Sequence, residues 1–279
     1  MTIKTVSVTI SDVASDGPAL AAAAAIALRE DAHLNVFCIG VDPVRYADMP
    51  TGSIMLMDVG HDAAVGQSEA LANWARSSLP MDLDKSTVQS VVIPQMGLDS
   101  SVSRLIRYSD LIVAAKPYGK GHSAWQVALL DAALFGTSAP VLIVPDLAFD
   151  FAQGPARVMV AWDESDEAMS SVHKALPLVS AATRVDVVQV DPSHQSEERS
   201  DPGGLLSVFL ARHGLKAEVS ILSRSLPKVS DVLLRFAREH DAQMIVMGAY
   251  GHSRLREAIL GGATRDMLEN MEIPVLMSR

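Results

Sequence analysis

Gln243–Gly248 reads QMIVMG, and Asp110–Ala115 reads DLIVAA; Ile273–Ser278 reads IPVLMS, and Ala139–Val144 reads APVLIV. Each is a short apolar run bounded by Gly, Pro, Asp or Ser, the pattern of a buried strand. Two further pairs extend the match. Thr5–Ser11 (TVSVTIS) is answered by Arg157–Asp163 (RVMVAWD). Asn35–Val41, which ends in Asp42-Pro43, is answered by Val185–Val190, which ends in Asp191-Pro192. The chain therefore repeats itself with a period of about 140 residues, too long for a solenoid unit and the size of a domain.

Helical patterns separate the strands. Ser165–Ala182 carries Ala168, Val172, Ala175, Leu176 and Val179 on one helical stripe, as a helix resting on a sheet does. Leu205–His213 and Val229–His240 read as helices, the second with Ser230 as its N-cap, and Ala217–Leu222 reads as a short strand. Each copy thus alternates strand and helix and closes on a strand, with strands apolar enough to be covered on both faces. That predicts an α/β fold of two tandem, doubly wound parallel sheets, over residues 1–148 and 155–279, joined by Phe149–Gly154. The copies are offset by 149 residues at the second strand and by 134 at the last. The first copy therefore holds an insertion, placed in Val44–Gly66, a Pro- and Gly-bearing stretch with the apolar island Ile54–Met57.

Composition narrows the function. The 279 residues are 49% hydrophobic and 20% charged, with 23 Lys and Arg against 33 Asp and Glu. A net charge of −10 argues against nucleic-acid partners, which are held by clustered Lys and Arg. A single cysteine, Cys38, excludes an internal disulfide framework and suits a reducing compartment. The uncharged run Ala19–Leu28 is far short of the roughly 20 residues of a membrane span. No signal-peptide pattern precedes Val6, so a cytoplasmic protein with no membrane partner is expected. The eight histidines show neither a zinc-protease spacing nor cysteine partners, and no nucleophile elbow is present.

In an open parallel sheet, ligands bind beyond the carboxyl ends of the strands, where the winding reverses. In the second copy the fourth strand runs there into GAYGHSRLREAILGGATRDML (Gly248–Leu268). Gly248 and Gly251 let backbone approach a ligand. Gly261, Gly262, Ala263 and Thr264 precede a helix read at Arg265–Asn270, whose free N–H groups suit phosphate. His252, Arg254 and Arg256 add charge, and Asp163 ends the first strand where a carboxylate can accept from a sugar hydroxyl or a base amino group. The same residues also have plain structural uses: glycines in turns and helix caps, Asp163 or Ser165 as an N-cap, and the basic residues as a solvated face.

The spacing Gly248-x2-Gly251-x9-Gly261, with MIVMG before it and IPVLMS after it, resembles the nucleotide loop of the universal stress protein family. The first copy has the same layout in diverged form, so nearly the whole chain resembles a tandem member with two Rossmann-like, adenine-nucleotide-binding domains. The resemblance implies that ATP is held with Asp163 and the Val190 backbone by the adenosine, and Gly248, Gly251 and Gly261 along the ribose and phosphates. Whether magnesium accompanies it stays open. The family's Ser or Thr after the third glycine is Gly262 here, and Thr264 two places on is the nearest hydroxyl.

The first copy departs further. Ser11 stands where Asp163 stands in the second, and Lys116–His122 lacks the glycine spacing and does not form a Walker loop around Lys120. One nucleotide site per chain is expected, in a stress-response binding module without catalytic residues. The last strand, Ile273–Ser278, is expected to pair the halves as a pseudo-dimer within the chain, and a homodimer is also compatible. Two alternatives stay open: a nucleotide-free interaction scaffold, and an ATP-using enzyme of the same fold group.

Overall fold

Local chemistry sets where each element starts and stops. In the computed structural model, which describes residues 2–43, 53–119, 121–147, 149–192, 201–249 and 262–279, the first half runs β1 (Thr5–Ile10), α1 (Val13–Glu30), β2 (His33–Asp42), α2 (Ser53–Ser78), β3 (Ser86–Pro94), α3 (Leu98–Ile106), β4 (Leu111–Ala115), α4 (Ala124–Gly136) and β5 (Val141–Val144). The second runs β6 (Arg157–Ala161), α5 (Asp166–Val179), β7 (Arg184–Val190), α6 (Gly204–Arg212), β8 (Ala217–Leu222), α7 (Val229–Glu239), β9 (Met244–Gly248), α8 (Gly262–Asn270) and β10 (Val275–Ser278). Asp12 caps α1 by accepting from the N–H groups of Ala14 and Ser15, and Asp31 ends it in the left-handed conformation at φ 51°. Ser165 caps α5 through the Ala168 N–H.

All ten strands form one sheet in the order β3-β2-β1-β4-β5-β10-β9-β6-β7-β8. Every pairing is parallel except β5 with β10, where Val275 lies opposite Ile143 and Met277 opposite Val141. Within each half the winding reverses beside the first strand, between β1 and β4 and between β6 and β9. Both faces are buried. Leu34, Val36 and Cys38 of β2 belong to the core layer that also holds residues of α1, α2, α5 and α6, while Phe37, Ile39 and Val41 belong to the opposite layer with residues of α3, α4, α7 and α8. Each such side chain fully removed from water contributes about 1.5–3 kcal/mol, so the sheet is the middle layer of a three-layer sandwich.

Three details differ from the sequence reading. The length difference between the halves lies largely in one helix, since α2 has 26 residues and its counterpart α6 has nine; residues 44–52 of the insertion, and the side chains of its island, fall outside the described ones. Ser230 does not cap α7. Lys228 holds that place, and Ser230 sits inside the first turn, buried, its hydroxyl without a hydrogen-bond partner. The last helix begins at Gly262, so Gly262, Ala263 and Thr264 form its first turn.

One buried acid strains this packing. Asp131 of α4 has a carboxylate oxygen without a hydrogen-bond partner. Burial, then the neighbouring Asp99 of α3, pushes its carboxyl from 3.8 up to about 6. The unfolded chain ionises this group at lower pH than the folded one, so its contribution to stability falls as pH rises through that interval and is least above it. Asp131→Asn is expected to raise the thermal midpoint at about pH 8 and to lose that advantage near about pH 4, read as midpoint against pH.

Candidate functional site

The two winding reversals are equivalent in topology and opposite in chemistry. In the second half, Ala161 of β6 pairs with Val188 of β7 and with Met247 of β9. The Trp162 N–H continues the ladder to the Val188 carbonyl at 2.9 Å. Asp163 follows at once, flanked by the ends of β7 at Val190 and β9 at Gly248. It is exposed, and its Oδ1 accepts from the Ser165 N–H at 3.1 Å and hydroxyl at 2.5 Å. Glu164 turns the chain at φ 63°, and its carboxylate accepts from Gln189 Nε2 at 2.8 Å. The cap of α5 is thus Ser165, and Asp163, bonded to it, stands at the strand ends.

Gly248 is required by close packing. A Cβ there would lie 2.6 Å from the Ala168 nitrogen and 2.9 Å from the Glu167 carbonyl carbon, so only glycine lets the first turn of α5 rest on the end of β9. Lys174, one further turn along α5, donates to Ser278 Oγ at 2.6 Å and seats the helix over β10, while burial pushes its ammonium down. Gly262 and Ala263 are exposed at the start of α8, whereas Thr264 is 5% exposed, with its side chain turned into the protein. Gly251, His252, Arg254 and Gly261 lie outside the described residues. The structure therefore brings Asp163, Val190, Gly248 and the first turn of α8 to one end of the same sheet.

The first half fills the same place with its own side chains. Asp16, in the first turn of α1 and 2% exposed, accepts from the N–H groups of Ser11 at 2.6 Å and Asp12 at 2.9 Å and from the Ser11 hydroxyl at 3.2 Å. Gln126, in the first turn of α4 and 5% exposed, reaches across the reversal and donates to Asp16 Oδ1 at 2.7 Å and to Ser15 Oγ at 2.6 Å. Burial holds the Asp16 carboxyl above its ordinary value, and these donated bonds offset only part of that rise. His122 lies 2.9 Å from Gln126 Oε1 and 3.2 Å from Asp146, closing the loop over the top. Counted from the helix caps, Ala168 and Met169 of α5 occupy the positions of Ser15 and Asp16. Neither carries a carboxylate.

This network was not singled out from the sequence. The available signal was an acid inside the alanine-rich start of α1, which reads alone as a first-turn Asp on a helix dipole. Other chemistry recedes. Burial pushes the Cys38 thiol up to about 11, which suits packing rather than nucleophilic attack. Among the described residues no group of three or more His, Cys, Asp or Glu converges as a metal site, and no helix is long and apolar enough to cross a membrane. A cleft of about 430 Å³, lined by Leu226, Leu234, Arg235, Asn270 and Ile273 among others, opens at the amino ends of β9 and β10, away from Asp163.

With this geometry described, similarity to known proteins can be placed on it. Residues 155–279 match the model of the universal stress protein family. The chain is 23% identical over 241 residues to universal stress protein Slr1230 of Synechocystis sp., an alignment covering 80% of this chain and 77% of that one. Its fold is similar over nearly its whole length to two solved structures. One is a universal stress protein from Archaeoglobus fulgidus (TM-score 0.67, 15% identity, 98% of this chain and 96% of that one). The other is a protein of unknown function from Pseudomonas aeruginosa PAO1 (TM-score 0.61, 17% identity, 99% and 92%).

Gly248→Ala should force the α5 first turn off the strand end, costing about 1–3 kcal/mol. Chemical denaturation is expected to show a lower midpoint with an unchanged slope.

Proposed function

We propose that this chain, whose second half belongs to the universal stress protein family, is a stress-response binding module. It takes one adenine nucleotide, ATP as the expected species, at the carboxyl ends of β6, β7 and β9. The observation that carries the reading is the chemistry of the second reversal: the exposed Asp163 stands between the ends of β7 and β9, with the exposed Gly262 and Ala263 of α8 at the same end of the sheet. In this arrangement Asp163 accepts from the ribose or the base, and the Val190 backbone borders the adenine. Gly248 lets α5 close on the strand end beside the ribose, and Gly251 and Gly261 are assigned to the sugar and phosphates. The N–H groups of Gly262, Ala263 and Thr264 face the phosphate end, where His252 and Arg254 add positive charge. No motif in the sequence places a general base beside the phosphate loop, so the role proposed is binding rather than turnover. A cytoplasmic location accords with the single buried thiol.

A second reading, a nucleotide-free scaffold, is favoured by one observation. Gly262 supplies no hydroxyl, and the buried Thr264 side chain is not free to replace it. Titration calorimetry with ATP separates the two. Binding by the native chain with a loss of roughly ten- to a hundredfold in Asp163→Ala, the worth of a charge-assisted hydrogen bond, supports the nucleotide site. No heat from the native chain leaves the scaffold, and binding of equal affinity in the variant places the nucleotide away from Asp163 and overturns the site.

A further inference from the structure

We infer that Asp16 is a resident anion: its carboxylate occupies an oxyanion cradle in the first-half reversal and holds that crevice shut. Three features define the cradle. Two consecutive backbone N–H groups, Ser11 and Asp12, point at one oxygen, at 2.6 and 2.9 Å, with the Ser11 hydroxyl beside them. The other oxygen takes a hydrogen of Gln126, which belongs to a helix on the opposite face of the sheet and is 110 residues away in sequence. The Gln126 amide is held in that orientation because its own oxygen accepts from the Ser123 N–H at 3.2 Å and meets His122 at 2.9 Å. Each of these contacts to Asp16 is a donor, so the site is matched to a carboxylate and to other small oxyanions of like size.

A simple helix cap does not account for this arrangement. Asp12 already caps α1 through the Ala14 and Ser15 N–H groups at 3.0 Å. Asp16 instead satisfies the N–H groups before the helix and joins α1 to α4 across the gap between β1 and β4. The loop after β4 also reaches the second half. There the Tyr118 ring receives Arg265 of α8 at 5.5 Å, and Lys116 Nζ donates to the Met271 carbonyl at 3.4 Å. The first half thus gives up ligand binding and serves as a brace for α8. That anionic ligands are left to the second half rests on the function proposed above; the cradle around Asp16 does not.

The test is chemical rescue in the full chain. Asp16→Ala empties the cradle, and its thermal midpoint should fall below that of the native protein. Sodium formate should then raise the variant's midpoint by several degrees more than sodium chloride at equal ionic strength, while the native midpoint responds alike to both salts. Asp16→Asn fills the space and should show no preference for formate. Should Asp16→Ala not accumulate in folded form, its refolding yield in formate against chloride is the readout. Equal responses to the two salts in the Ala variant, or a formate preference equally large in the Asn variant, overturn the inference, whatever ATP does in the second half.

Discussion

The antiparallel pairing of β5 with β10 governs the rest of the molecule. A five-stranded parallel sheet ends on an exposed edge, and here each half closes one edge against the other. Because that single joint is antiparallel, the carboxyl ends of the first half lie at the amino ends of the second. The reach of Lys116 from the end of β4 to the Met271 carbonyl, just before β10, is a direct consequence. The two ligand-type crevices therefore face opposite ends of one sheet, and the loop after β4 borders α8 of the other half.

Within that frame a duplicated architecture has separated in chemistry. At one reversal an internal carboxylate, a glutamine and a histidine complete one another's hydrogen bonds, and little unsatisfied polarity remains to attract a ligand. At the other, Ala168 and Met169 hold the equivalent helix positions and carry no carboxylate, and Asp163 stands at the strand ends. The fold is common to both halves, and first-turn residues distinguish the two reversals. This is the general condition of such sheets: topology says where a ligand can go, and side chains say whether it does.

Much of this was legible in the sequence, for physical reasons. Strands buried on both faces are written as continuous apolar runs such as MIVMG and IPVLMS, and paired helices appear as stripes, so the repeat and the parallel sheet follow directly. The placement of Asp163 and Gly248 at strand ends was legible because each closes an apolar run. Element boundaries were less so. Ser230 looks like a cap but lies within α7, and the first turn of α8 runs through Gly262, because glycines next to a helix start carry no propensity that marks the boundary. Asp16 was invisible for a different reason: its partner Gln126 lies 110 residues away, and only the folded topology sets the two side by side.

On this account the chain's one nucleotide crevice belongs to the second half. Photolabelling with an azido-substituted ATP, followed by mass-spectrometric mapping of the labelled peptides, tests it most directly. Label confined to peptides carrying Asp163, Val190 or the segment following Gly248, and competed away by ATP, is the expected result. Competable label on peptides around Ser11, Asp16 or Gln126, or none in either half, would contradict it.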